Sequence, residues 1–279
     1  MTFKEIYELG QKKLCMAEIE DANVDAWYLL EFVTGISRAM YFMKMMDQVN
    51  PEDEEKYFKY IELRKKHIPL QHITGVQEFM GFEFCVNEHV LVPRQDTEVL
   101  VETVLKEMKL GADVLDMCVG SGCIIISLVK MGKDIKGTGV DISEEALKVA
   151  AKNCEKLETN VKLIHSDLFA NVEGTFDVIV SNPPYIRTAV IEELKEEVKF
   201  HDPFLALDGK EDGLYFYRKI VDESRNYLKN GGKLCFEIGH DQGEDVKNLM
   251  EEAGFSGVSV KKDLAGLDRV VYGKYNVIG

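Results

Sequence analysis

Apolar residues recur at helical spacing from Thr2 to about His67, as in Ile6, Leu9 and Leu14 and again in Ala26, Leu29, Leu30 and Val33, and no stretch there alternates as a strand would. The pattern predicts a small helical domain over residues 1–68. Within it, residues 41–46 are dense in methionine and aromatic side chains; core packing is the simpler reading of that run, and a partner-binding face is the other. From 69 to 92 the period shortens to alternating pieces around glycine, at 78–86 and 90–92, which predicts a β-hairpin connector. Beyond Pro93, helical patterns alternate with short apolar runs at 114–117, 138–141, 161–165, 176–181 and 233–238, followed by strand candidates at 257–261 and 269–275. Such alternation predicts one α/β domain over residues 93–279, a mostly parallel sheet closed by an antiparallel pair. No internal repeat or low-complexity tract interrupts it.

Composition narrows the setting. With 46% hydrophobic and 30% charged residues, 279 residues suffice for a soluble protein with a substantial core. Acidic residues outnumber basic ones 49 to 34, a net charge of -15, which repels a nucleic-acid backbone and favours a protein or small molecule as substrate. Six cysteines stand singly with no CxxC pair, as in a reducing cytosol, and give no metal-binding spacing. Lys4, Glu5 and Glu8 interrupt any leader-like run, and the longest apolar stretch, at 123–129, is too short to cross a bilayer. A cytoplasmic protein with no membrane partner, monomeric by default, is the expectation.

Candidate chemistry lies where strands end. Val114, Leu115, Asp116, Met117, Cys118, Val119, Gly120, Ser121 and Gly122 run from a strand through a small-residue turn into a helix, so that backbone can approach a ligand closely. A dinucleotide fingerprint needs a third glycine where Ile125 stands, which disfavours NAD. An acid at Asp116 repels a pyrophosphate yet suits the sulfonium and amino group of S-adenosylmethionine. Asp141, about 20 residues past the turn, is placed to accept from ribose hydroxyls. Asp167, ending the next strand, is placed to accept from an adenine amino group, with Leu168 or Phe169 covering the ring. Singly, each acid reads as a cap or turn residue. In order on consecutive strands they point to S-adenosylmethionine and a Rossmann-like, seven-stranded class I methyltransferase sheet.

The next strand, 176–181, runs into Asn182, Pro183, Pro184 and Tyr185. Proline has a carbonyl but no N–H, so this turn offers acceptors. A planar amino group is a poor nucleophile because its lone pair is delocalised; a catalyst has to hold its two N–H bonds and aim it. The Asn182 side-chain oxygen and the Pro183 carbonyl can take one proton each while Tyr185 stacks on the planar group, with no general base required before methyl transfer. Two prolines that merely stop a strand, with Asn182 in a local turn bond, are the plain alternative. It does not explain why the four residues follow the Asp167 strand.

With these residues quoted, the chain resembles the HemK-type peptide chain release factor glutamine N5-methyltransferases nearly end to end. The likeness extends through Gln71, His72, Ile73, Thr74 and Gly75, through Glu78, Phe79, Met80 and Gly81, through residues 91–98, and through residues 263–269. The resemblance implies a helical domain that docks a release factor and a catalytic domain that methylates the glutamine of its Gly-Gly-Gln loop. It implies that Cys118, Val119, Gly120, Ser121, Gly122, Asp141 and the neighbourhood of Asp167 and Leu168 bind cofactor. Asn182, Pro183, Pro184 and Tyr185 would then hold the glutamine amide, walled by the segment containing Arg94. Gln95, Val119 and Asp202 depart from the commonest residues of that family, and Val119 removes a hydroxyl near the cofactor. Glutamine methylation of a ribosomal protein, N6-adenine methylation of nucleic acid and a non-catalytic scaffold remain as alternatives. His165, His201 and His240 lack metal spacing. Glu237 ends a strand on the active-site edge, and the acidic run at 192–197 reads as a solvated helix face or a lid.

Overall fold

A computed structural model of the chain describes residues 1–276 and divides it into two compact units, Met1–Val76 with Lys195–His201, and Gln77–Leu194 with Asp202 onward. The first unit is helical: α1 (Phe3–Met16), α2 (Ala22–Thr34), α3 (Arg38–Lys44), α4 (Pro51–Arg64) and α5 (Leu70–Thr74). Thr2 and Glu5 form a reciprocal capping box at the start of α1, and Pro51 opens α4 behind the Asn50 cap. Of the stripe expected from spacing, Ile6, Leu14, Ala26, Leu29 and Leu30 are fully buried, whereas Leu9 is exposed and Val33 half-buried; Tyr57 and Ile61 of α4 complete the core. The methionine-rich run divides. Tyr41 packs edge-on against Trp27 and Tyr7, whereas Phe42, Met43 and Met46 are exposed. Core packing therefore explains Tyr41 and the partly buried Met45 and leaves three apolar residues on the surface.

The second unit begins inside a short hairpin, β1 (Val76–Phe79) and β2 (Phe82–Cys85), turned through Met80 and Gly81, both with positive φ. The expected strand at 90–92 is absent: Val90 and Val92 are buried without joining a ladder, so burial alone produced the apolar pattern. Then follow α6 (Gln95–Glu107), β3 (Asp113–Met117), α7 (Cys123–Met131), β4 (Lys136–Asp141), α8 (Glu144–Lys156), β5 (Val161–His165) and β6 (Phe176–Ser181). After β6 come short helices α9 (Thr188–Ile191), α10 (Glu196–His201) and α11 (Phe204–Leu207), then α12 (Tyr215–Ser224), β7 (Leu228–Glu237), α13 (Gly243–Glu252), β8 (Phe255–Lys262) and β9 (Asp268–Tyr275). The sheet order is β5-β4-β3-β6-β7-β9-β8, parallel except for β9, which runs antiparallel to both neighbours. β7 starts earlier than its apolar run because Leu228 pairs with Phe176 ahead of a register shift that falls between Leu228 and Lys233.

Apolar side chains cover both faces of this sheet. One face packs Leu100, Val104, Ile125 and Leu128; the other packs Phe169, Tyr217, Ile220 and Met250. Strand order reverses around β3, whose neighbours β4 and β6 lie on opposite sides, and in open α/β sheets ligands bind at the carboxyl ends beside such a reversal. The acidic run is not a free helix face: α10 belongs to the helical unit, where Glu197 pairs with the buried Arg64 at 2.7 Å and Arg64 also reaches Asp25 at 2.6 Å. The hairpin expected as a separate connector over 69–92 is likewise divided, with α5 in the first unit and β2 in the second.

Candidate active site

A cavity of about 340 Å³ opens at the carboxyl ends of β3, β4, β5 and β6. That volume lies within the range of small-molecule sites. Its wall includes Cys118, Val119, Gly120 and Ser121 from the turn after β3, Asp141 from β4, Ser166, Asp167 and Leu168 after β5, and Asn182 and Pro184 after β6. Arg94 and Thr97 close one side, with Arg94 held by Asp202 at 2.9 Å. Nearly all the residues expected to act together are thus brought to one cavity by the sheet.

The turn after β3 is a run of unusual backbone: Cys118, Gly120 and Gly122 all take positive φ. Cysteine at φ 66 is strained where glycine would be free, and burial together with the charges of Asp141 and Asp116 pushes its thiol well above its ordinary range. Gly122 starts α7, whose packing against α8 leaves no room for a side chain: a Cβ there would lie 2.9 Å from Ile126 and 3.4 Å from Ala150. Gly120 N–H donates to Asp141 Oδ2 and Ser143 N–H to Oδ1, both at 2.9 Å. Ile142 N–H also favours the carboxylate, which still keeps acceptor capacity for a ligand hydroxyl, and burial raises its pKa against these stabilising bonds.

Four expected residues stand off the wall: Gly122, at the start of α7, and Asp116, Pro183 and Tyr185. Asp116 is fully buried behind the turn, and neither of its carboxylate oxygens makes a hydrogen bond. Burial, reinforced by the Asp141 charge, pushes its carboxyl well above the usual range. Pro183 is buried, and the Tyr185 ring packs into the core of the Tyr217 face. Of the two candidates to cover a ring, Leu168 lines the cavity with φ 46, while Phe169 turns inward to stack on Tyr227 at 4.6 Å.

Fixing the turn after β6 falls to residues distant in sequence. Gln242 Nε2 donates to the carbonyls of Tyr185 at 3.1 Å and Gly213 at 3.2 Å, while its oxygen accepts from Gly239 N–H at 3.0 Å. Gly209 and Gly213 press on the Tyr185 backbone so closely that a Cβ would fall 2.7 and 2.4 Å from it. Ser181 Oγ donates to the Met117 carbonyl at 2.6 Å and ties β6 to β3. Lys210, from the α11–α12 connection, and Tyr215 and Phe216, which open α12, also line the cavity and were not expected there; their sequence carries no motif. His165 and His201 lie against the carbonyls of Ile142 and Lys66, and no metal-holding cluster exists among the described residues.

The residues present fit S-adenosylmethionine: glycines open the backbone, Asp141 offers two acceptor positions, and apolar Leu168, Val119 and Ile142 form the flanks. Fold and cavity together define an S-adenosylmethionine-dependent methyltransferase with a Rossmann-like sheet. Comparison with known proteins is narrower. The family described as PrmC N-terminal domain matches residues 5–75, and that described as Methyltransferase small domain matches residues 94–198. A release factor glutamine methyltransferase of Clostridium botulinum is 41% identical over 281 residues, covering 97% of this chain and 98% of that protein. That of Geobacter sulfurreducens is 39% identical over 274 residues, covering 98% and 96%. A methyltransferase structure from Pyrococcus furiosus superimposes with a TM-score of 0.54 at 20% identity, covering 71% of this chain and 91% of that one, a likeness of fold. The chain belongs to the release factor glutamine methyltransferase family.

Proposed function

We propose that this chain transfers a methyl group from S-adenosylmethionine to the side-chain amide nitrogen of the glutamine in the Gly-Gly-Gln motif of a peptide chain release factor. The observation that carries this reading is Asn182 on the wall of the same cavity as Asp141 and the Gly120 turn. When bound, the cofactor supplies an electrophilic methyl group. Asp141 accepts from ribose hydroxyls, Asp167 and Leu168 receive the adenine end, and the turn at 118–122 gives backbone contacts. Asn182 Oδ1, on the cavity wall, accepts one N–H bond of the incoming amide; the Pro183 carbonyl and the Tyr185 ring, which stand off the wall, take the second N–H bond and bound the amide plane once substrate entry shifts the turn. The gain is orientation: fixing both N–H bonds aims the nitrogen and opposes its resonance with the carbonyl. Nitrogen becomes acidic once methylated and loses its proton afterwards, so no base has to act first.

The helical unit, whose exposed Tyr28, Phe32, Phe42 and Met43 form apolar surface, grips the release factor away from the glutamine. The protein acts as a cytoplasmic monomer in this reading; no helix among the described residues is long and apolar enough to cross a membrane. The net charge of -15 favours a protein over a nucleic-acid substrate. Transfer of label from S-adenosylmethionine to purified release factor, and none to a copy with asparagine at the Gly-Gly-Gln glutamine, is the expected result. No label on either protein would overturn the assignment.

A further inference from the structure

The catalytic asparagine has a chemical ambiguity. Its carboxamide presents an oxygen on one side and an NH₂ on the other, the two ends are nearly the same shape, and only the oxygen can receive a substrate N–H. Something has to select the flip. β6 and β7 run parallel with Ser181 opposite Phe236, so the residues that follow, Asn182 and Glu237, leave the sheet side by side. Glu237 is 2% exposed, Thr97 and Asn182 line the same cavity, and both side chains lie near enough to its carboxylate to favour its charged form, Asn182 the more weakly. A charged carboxylate can only accept, so the end of Asn182 that suits it is the NH₂, and that flip leaves Oδ1 for the cavity.

We infer that Glu237 is the positioning residue of this reaction, holding Asn182 in the one flip that accepts an amide N–H; the inference rests on the proposed methyl transfer to an amide. The rest of its surroundings serves the same end. Tyr217 Oη donates to the Glu237 carbonyl at 2.9 Å and pins the backbone of the strand end. The second carboxylate oxygen, Oε2, makes no hydrogen bond. A buried carboxylate with one oxygen unsatisfied is costly to keep, which a merely structural position would shed and a functional one retains. The charged and titratable groups facing it are Arg269 from β9, Asp96 from α6 and Cys123 from α7, with Tyr185 and Tyr217 beside it. Arg269 is itself held by Asp96 at 3.1 Å and Asp263 at 3.0 Å, so it does not depend on Glu237 for a partner. Burial outweighs the Thr97, Arg269 and Asn182 contributions and raises the Glu237 carboxyl to about 7.

Glu237→Gln tests this, since glutamine keeps the shape but can offer either end to Asn182. On a release factor that the wild-type enzyme methylates, kcat is expected to fall on the order of ten- to a hundredfold while KM and cofactor Kd stay within about threefold. A substrate-independent reading is the side-chain amide resonance of Asn182, identified by its loss in Asn182→Ala. In the wild-type protein it shifts with pH around about 7, the Glu237 value, and the shift is gone in Glu237→Gln. An Asn182 resonance insensitive to pH in the wild type overturns the inference whether or not the release factor is a substrate. So does a Glu237→Gln enzyme with unchanged kcat, and so does a variant in which KM, cofactor affinity and kcat fail together. Should Glu237→Gln not fold, the wild-type titration decides alone. Absence of methylation by the wild-type enzyme, with the resonance titrating as expected, would count against the proposed substrate and leave the positioning role supported.

Discussion

The two ends of the cavity are built in different ways. At the Asp141 end, main chain does most of the work: the N–H groups of Gly120 and Ser143 hold the carboxylate, and positive-φ residues at Cys118, Gly120 and Leu168 shape the wall. At the Asn182 end, buried side chains from separate parts of the chain converge: Thr97 from α6, Glu237 at the end of β7, and Gln242 clamping the Tyr185 carbonyl. The first end has to accommodate an invariant cofactor, for which backbone geometry suffices. The second has to fix the orientation of a small amide, which depends on which atom of a carboxamide points where.

The largest effect that would break this comparison is at Asn182. Replacement by alanine removes an acceptor from the reacting amide and should lower kcat by about a thousandfold, with cofactor affinity by calorimetry within a few-fold. Equal loss of both would mean the two ends are not separable.

Next is the dependence of stability on pH. Glu237 has a folded-state pKa raised to about 7 from 4.5, so its contribution is most favourable below the unfolded value and is lost as pH rises through about 7. Relative to wild type, Glu237→Gln should therefore gain stability between pH 5 and 8, by about 2–3 kcal/mol, in denaturant titrations at each pH. A gain in stability alongside a fall in kcat would mark the site as built against the fold's own preference. A constant difference across that pH range would show that the carboxyl does not titrate there.

Asp141→Ala should weaken cofactor binding about ten- to a hundredfold, since it removes charged acceptors and frees the Gly120 loop, and should leave kcat at saturating cofactor within severalfold. Val119→Thr is the mildest. Val119 is 4% exposed and packs on Gly139, where its backbone shapes the wall whichever side chain it carries, so cofactor Kd should change by less than about threefold. A larger gain would assign a hydroxyl at this position a direct contact.

Much of this was legible in the chain itself, and the failures have physical causes. Strands 161–165 and 176–181 fall where period and boundary residues placed them, because β5 and β6 are apolar runs ended by polar turns. The segment 90–92 looked like a strand because its valines are buried, and burial does not distinguish a ladder from a loop packed on a helix. Asp116 looked like a ligand because it enters the glycine turn; strand alternation turns it away from the cavity, while Met117 next to it lines the wall.

By itself the sequence determined the sheet, the helical unit's core, and the order of acids and of Asn182, Pro183, Pro184 and Tyr185 at successive strand ends, since all of these follow from local periodicity and short-range turn chemistry. Only the tertiary structure decided that Glu237 sits beside Asn182, that Gln242 holds Tyr185, and that α10 packs with the helical unit. Those contacts join residues tens to more than a hundred positions apart, and the burial that gives Glu237 its raised pKa exists only once α6, β6, β7 and β9 have come together.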